Sequence, residues 1–392
     1  MQNKHDKKEK TNKIGRIACG GRIKRIRKRI LFLNLADLAA EGDPAYLVLF
    51  YPVRSCLSCL FFSLCILLMC SCQNSTVAPV STVLKGNVMT IDYKIIIGSP
   101  VDEMQKKTIE ELVSATFSEI NTIYNKWNPH SEISTLNQLK GKVTYPISQK
   151  LESFLKFTDQ IVKMTEGRFD PTIEPIQKLW KEKLANGEIP TNKEIAKIAP
   201  AVGWDKIHVE NGYFYKDHDH TAIDLGGIAK GFCVDLLVEN LNAAGYPHVY
   251  VEWGGEIRCS GKHPSGRPWR VFISNLGDQQ QENGIAEIDL IDQAIATSGD
   301  YLQNWKIGTA TYFHIFDATT KRPLVSAPHS IASASVVAPT CALADGLATA
   351  AMTFSTVEEA QQWSEQINKL FPETHFWFIE NAREKSEEKS EI

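Results

Sequence analysis

Between residues 88 and 379 the hydrophobic period changes repeatedly and never settles into a regular alternation of strand and helix. The stretch 88–97 has strand character, whereas 101–124 carries apolar residues at helical spacing, among them Ile109, Leu112, Val113, Phe117 and Ile120. A second amphipathic helix is predicted over 151–165 and a short one over 192–198. Segments 208–215 and 221–224 suggest a hairpin around Asp217-His218-Asp219-His220. A helix over 230–244, ended by Gly245, precedes strands over 248–251, 269–274, 285–290, 294–298 and 311–316. Helices over 340–354 and 357–366 lead to a last strand over 375–379. Long helices mixed with runs of consecutive strands point to an α+β architecture.

A chain of 392 residues has length for one large domain or two modest ones. With 23% charged residues, 8 Trp, 17 Phe and 11 Tyr, it is neither intrinsically disordered nor a multi-span membrane protein. The net charge of −3 removes the global electrostatic case for a nucleic-acid partner. That average conceals a divided chain. Up to Ile30, Lys and Arg crowd the sequence and only Asp6 and Glu9 oppose them, so the remainder is acidic. The basic arm has no interleaved aromatic residues, and a charge run of this kind is usually solvated.

From 55 to 72 the chain reads SCLSCLFFSLCILLMCSC, an uncharged apolar run with Arg54 before it and polar residues after it. Basic flank, apolar core and small terminal residues are the layout of a secretory signal, and a spanning helix needs ~20 apolar residues. Its end resembles a bacterial lipobox, with Cys72, preceded by Ser71, as the residue to be lipidated. Residues 1–54 then read as a basic leader extension or a misassigned start, 55–72 as a lipoprotein signal, 73–85 as a linker and 381–392 as a charged tail. Cys56-x-x-Cys59 sits inside the apolar run without a second pair, which argues against a metal or redox role. Cys233, Cys259 and Cys341, the only three in the body, read as buried thiols.

Asp224-Leu225-Gly226-Gly227-Ile228-Ala229-Lys230-Gly231 runs from a strand into a helix. Glycines allow close backbone approach, exposed N–H groups at a helix start favour phosphate, and Lys230 adds positive charge. A glycine turn that only packs helix on sheet fits the same spacing equally well. In Ala344-Asp345-Gly346-Leu347-Ala348-Thr349, Asp345 and Thr349 share a helix face. Carboxylate and hydroxyl are hard ligands of the kind Mg²⁺ takes, although such pairs recur by chance. His314, with Asp317 near, is a proton acceptor or a structural strand residue. Asp300 ends a strand in a Ser-Gly-Asp turn and offers a carboxylate. Trp127-Asn128-Pro129 and Phe169-Asp170-Pro171-Thr172 set rings beside polar turns, as a flat heteroaromatic ligand or a core anchor would require. His218, Asp219 and His220 resemble metal ligands, but a polar hairpin tip explains them as well.

In order, the segments 89–93, 127–137, 167–172, 224–231, 254–257, 297–301, 313–317 and 344–350 resemble the FAD:protein FMN transferase (ApbE-type) family. Each is weak alone, and their common register is specific. The resemblance covers a flavin transferase domain over 86–380 and implies one large catalytic unit of mixed sheets and helices, its active site in a cleft between two subdomains. It implies Mg²⁺-dependent transfer of FMN from FAD to a Ser or Thr hydroxyl of a protein, with release of AMP. Its typical acceptors are membrane respiratory proteins such as Na⁺-translocating NADH:quinone oxidoreductase subunits. By the same analogy Asp345, Thr349 and the Gly227 carbonyl hold Mg²⁺. Met89, Trp127, Arg168, Phe169, Asp170, Asp224, Lys230 and Ile315 match FAD-contacting positions. His314 is the base for the acceptor hydroxyl and Asp300 an accessory. An enzyme of this kind faces outward in the bacterial envelope, lipid-anchored most often at the periplasmic face of the inner membrane, in agreement with Cys72. The chain departs from the family's usual Asp-Pro-x-Thr-Gly after the His motif, having Asp317-Ala318-Thr319-Thr320-Lys321. Two rivals remain: an FAD pyrophosphatase that uses the same metal and base on water and yields FMN and AMP, and a flavin-binding lipoprotein without chemistry, which would tolerate loss of Asp345 and His314.

Overall fold

The computed structural model describes residues 81–273, 286–300 and 304–381, with a two-residue strand at Ala18–Cys19. The rest of the leader, the signal with Cys72, residues 73–80 of the linker and residues 382–392 of the tail lie outside the described residues. An antiparallel eight-stranded sheet forms the frame. From one edge to the other it runs Ala18–Cys19, His375–Glu380, Ile331–Ala338, Ala294–Gly299, Glu256–Ser260, Val249–Trp253, Ile91–Ile97 and Thr82–Val88. The α+β class holds.

Strand alternation divides the sheet's side chains between two cores. Val249, Val251, Ala294 and Val336 join the large core under the helices, whereas Tyr250, Ile295 and Val337 join a smaller one with Trp269, Val271 and Leu290. The latter come from a hairpin, Trp269–Ile273 with Ala286–Leu290. On the helical face, Cys341–Ala351 packs on the strands Ala294–Gly299 and Ile331–Ala338, and Ala229–Ala243 packs between Cys341–Ala351 and the long helix Glu103–Ile123. Apolar spacing explains the long helix, whose buried face is Ile109, Val113, Phe117 and Ile120, and Asp102 starts it with a capping box. A third core, with Ile176, Trp180 and Phe316, lies between helix Glu174–Ala185 and a separate sheet of Asn304–Ile307, Ala310–Asp317 and Arg322–Val325.

Several expectations need correction. The stretch 88–97 is not one strand: Val88 pairs with Ile91 across a two-residue turn in which Met89 and Thr90 both have positive φ, 51° and 65°. That handedness suits the twist of a hairpin. The linker predicted over 73–85 stops sooner, because Thr82–Val88 pairs along its length with Ile91–Ile97. The hairpin predicted around 217–220 turns instead at Asn211-Gly212, between Ile207–Glu210 and Tyr213–Lys216. Asn and Gly there accept positive φ, 52° and 79°. The tail begins after Asn381, whose amide donates to Asp300 and Ser330 at 3.0 Å each.

One buried cation secures the loop that leads to the glycine-rich turn. Lys216 is 1% exposed and its ammonium donates to the carbonyls of Asn137 (2.9 Å) and Thr221 (2.6 Å). Burial pushes its pKa down to about 8 from 10.5. Between those values the unfolded chain holds a proton that the folded chain has released, so stability rises with pH across that window. Denaturant titrations should show a gain approaching ~1.4 kcal/mol per pH unit there, relative to a Lys216→Met variant lacking this slope. Equal slopes for both proteins would contradict it.

Candidate active site

Three elements converge on the glycine-rich turn. Helix Cys341–Ala351 is built of small residues and brings Asp345 and Thr349, one turn apart, against the start of helix Ala229–Ala243. The Thr349 hydroxyl donates to the Gly227 carbonyl at 3.5 Å and lies 3.3 Å from the Ser298 hydroxyl at the end of strand Ala294–Gly299. A Cβ at Gly227 would stand 2.9 Å from Thr349 Oγ1 and 3.2 Å from the Phe169 ring, so this position has room only for glycine. Asp345 is 3% exposed and its Oδ2 accepts the Gly231 N–H at 3.1 Å. Burial pushes its carboxyl upward, with the Lys230 charge pulling against that.

Lys230 pairs with Glu256, which is 1% exposed. Burial draws the Lys230 ammonium down, but Glu256 and Asp345 outweigh it and hold it charged above the ordinary lysine range. Burial pushes the Glu256 carboxyl up against the same pairing. Its Oε2 is buried with no hydrogen-bond partner among the described residues. Glu256 follows a turn, Gly254-Gly255, with positive φ at both glycines, and the Gly254 N–H donates to Asp92 at the Met89-Thr90 hairpin. The strained hairpin tip is thus docked at the same corner as Lys230. Asn125 fixes Met89 further, its amide lying 3.6 Å from Sδ.

A second cluster surrounds Asp224. Lys126 donates to Asp224 at 2.8 Å and pairs with Glu174, and its ammonium lies 4.9 Å from the centre of the Trp127 ring. Burial alone lowers the Lys126 pKa, and the two carboxylates reverse that and raise it. Trp127 is 76% exposed, so its ring is a surface a planar ligand can cover. Asn137 holds the approach to Asp224 by a reciprocal pair with Ile223, 2.9 and 2.7 Å, and Asp224 N–H donates to Pro171 at 2.8 Å.

The other predicted residues have distinct settings. Asp170 caps a turn, accepting from Thr172 N–H and hydroxyl (2.8 and 2.7 Å) and from Trp204 N–H (3.2 Å). Arg168 stacks its guanidinium 3.6 Å from the Phe354 ring centre. Asp300 ends the strand that carries Ser298, its carboxyl bound by Asn381 and raised by burial. His314 sits in Ala310–Asp317 just where the strand passes from the large core at Ile315 to the third core at Phe316. Lys126, Glu174, Ser298 and Glu256 belong to these clusters and sequence reasoning assigned them no role. The Gly254-Gly255-Glu256 segment carried a signal for the last of them, since paired glycines mark a tight turn or a close backbone approach.

The Asp345 carboxylate, the Thr349 hydroxyl one turn on and the Gly227 carbonyl that Thr349 touches are all oxygen donors, the kind that fits a hard divalent cation such as Mg²⁺. No group of three or more His, Cys, Asp or Glu side chains suited to a metal occurs among the described residues.

Similarity to known proteins puts this fold in a family of flavin-handling enzymes. The ApbE family model matches residues 87–371, and the chain belongs to that family. It is 39% identical over 308 residues to an FAD:protein FMN transferase of Chlamydia pneumoniae, covering 78% of this chain and 94% of the relative. An enzyme of the same description from Vibrio cholerae is 31% identical, covering 71% and 84%. The solved flavin transferase ApbE of Vibrio cholerae superposes with a TM-score of 0.64 at 28% identity, covering 78% of this chain and 97% of that one. The apo flavinyl transferase ApbE of Pseudomonas stutzeri shares the fold, with a TM-score of 0.67 at 22% identity and coverage of 78% and 92%.

Proposed function

We propose that the protein moves FMN from FAD to a Ser or Thr hydroxyl of a target protein with Mg²⁺ as cofactor, releasing AMP. The observation that carries this reading is that one helix sets Thr349 on the Gly227 carbonyl and, one turn earlier, Asp345 on the Gly231 N–H beside Lys230. Asp345, Thr349 and Gly227 would hold the cation. Bound Mg²⁺ supplies charge neutralisation at the pyrophosphate oxygens. Lys230 adds a fixed positive charge to the same oxygens, and Glu256 holds it in place. Trp127, Met89, Phe169, Arg168, Asp224 and Ile315 serve the flavin nucleotide, with Asp170 shaping the turn that positions Phe169.

His314 takes the proton of the acceptor hydroxyl as its oxygen bonds to the FMN-side phosphorus, and the bond from that phosphorus to the AMP oxygen breaks. Asp300, just after the strand Ala294–Gly299 of the eight-stranded sheet, is an accessory. We place the enzyme at the periplasmic face of the inner membrane, anchored through lipidated Cys72, where membrane respiratory proteins such as Na⁺-translocating NADH:quinone oxidoreductase subunits supply the hydroxyl. Among the described residues no helix is long and apolar enough to cross a membrane.

The role of His314 has its own test. His314→Ala should slow transfer to an acceptor protein by roughly 10²–10⁴-fold while FAD affinity changes little. An unchanged rate would remove His314 as the base.

A further inference from the structure

The two helices that meet at the site are bound side by side at two levels. At the first, the Gly231 N–H donates to Asp345 Oδ2 at 3.1 Å. One turn along the same helix, Asp235 reaches the N-terminus of Cys341–Ala351, its Oδ1 accepting the Cys341 N–H and its Oδ2 the Ala342 N–H, both at 2.8 Å. The Thr340 hydroxyl accepts the next N–H, that of Leu343, at 3.4 Å. The first three orphan donors of the helix thus have acceptors, two of them on one carboxylate.

Capping alone does not require this arrangement. Asn serves about as well as Asp at an ordinary N-cap, and a buried carboxylate is costly: burial pushes Asp235 up to about 6, against Arg258 and the two N–H groups. What a carboxylate adds is two acceptors at a fixed spacing. Gripping adjacent N–H groups sets both the rotation and the axial position of the helix. An amide offers one oxygen and turns an NH₂ toward the other donor.

Asp235 is itself held from the sheet. Arg258 donates to its Oδ1 at 2.8 Å and to Glu239 at 3.0 Å, and Arg258 stands two residues beyond Glu256 on the same strand. The helices have no slack between them, since a Cβ on Gly231 would fall 2.4 Å from the Cys341 carbonyl oxygen.

We infer that Asp235 is a positioning residue for the divalent cation: its two-oxygen grip on Cys341 and Ala342 fixes the register that turns Asp345 and Thr349 toward the Gly227 carbonyl. The inference rests on the proposal that these three residues hold Mg²⁺. Partners outside the ligand shell commonly change metal affinity by about 10–100-fold when removed.

The test titrates Mn²⁺, a paramagnetic stand-in for Mg²⁺, into the full chain with FAD and reads free Mn²⁺ by electron paramagnetic resonance. Wild type should bind one ion and Asp345→Asn none, whereas Asp235→Asn should bind it at least about tenfold more weakly. Where the amide variant does not fold, Asp235→Glu keeps the charge but shifts the carboxylate by a methylene, and it should weaken binding in the same direction. If Asp345→Asn binds Mn²⁺ like wild type, the metal reading fails and this inference with it. If Asp345→Asn loses the ion but a folded Asp235 variant keeps wild-type affinity, whatever its melting temperature, the cation site stands and Asp235 is only structural.

Discussion

Asp345→Asn should abolish FMN transfer, lowering the rate by roughly a thousandfold or more, a loss at or beyond that of removing one preorganised charge-stabilising group. The side chain is 3% exposed, fixed by the Gly231 N–H and placed one helical turn from Thr349. Asparagine keeps its size and its oxygen toward Gly231 but removes the negative charge that a divalent ion needs. Folding should survive, because burial disfavours the charged carboxylate. Treating wild type with EDTA should produce the same loss, reversed by added Mg²⁺, whereas the variant should stay inactive at any Mg²⁺ concentration. Full activity of the EDTA-treated variant would overturn the metal assignment.

Lys230→Met should both inactivate and destabilise, and the two effects can be separated. Removing the ammonium leaves Glu256 alone at 1% exposure, and breaking a buried pair from one side costs about 3–5 kcal/mol. Adding Glu256→Gln removes the stranded charge, so the double variant should recover most of that stability in a denaturant titration. It should not recover transfer, because the charge on the pyrophosphate is still unmet. A double variant that regains activity would show that Lys230 serves packing alone.

The parts of the site that could be read from sequence are those where local spacing carries the chemistry. Asp345 and Thr349 are four apart on a helix, and the glycines of 226–227 signal close approach within a few residues of Lys230. Contacts across long separations left no such mark. Glu256 meets Lys230 from 26 residues away, and Lys126 meets Asp224 from 98 away. The fold divides in the same way. The amphipathic helix Glu103–Ile123 announces itself by its polar face. The strand Ile331–Ala338 is buried throughout and built of small residues, so it shows no alternation to read. The Met89-Thr90 turn was hidden for a different reason: two residues without glycine adopt positive φ, a conformation their own preferences oppose. Such strain is held by surrounding contacts and concentrates where a site needs it.

The most direct test incubates the protein with FAD, Mg²⁺ and a peptide bearing a Ser/Thr acceptor motif, then follows the peptide by mass spectrometry and AMP by direct assay. A peptide heavier by one FMN less a water, with an equal amount of AMP, is the expected result. Unmodified peptide with AMP and free FMN would make the protein an FAD pyrophosphatase, and neither product would leave a flavin-binding protein without the chemistry proposed for it.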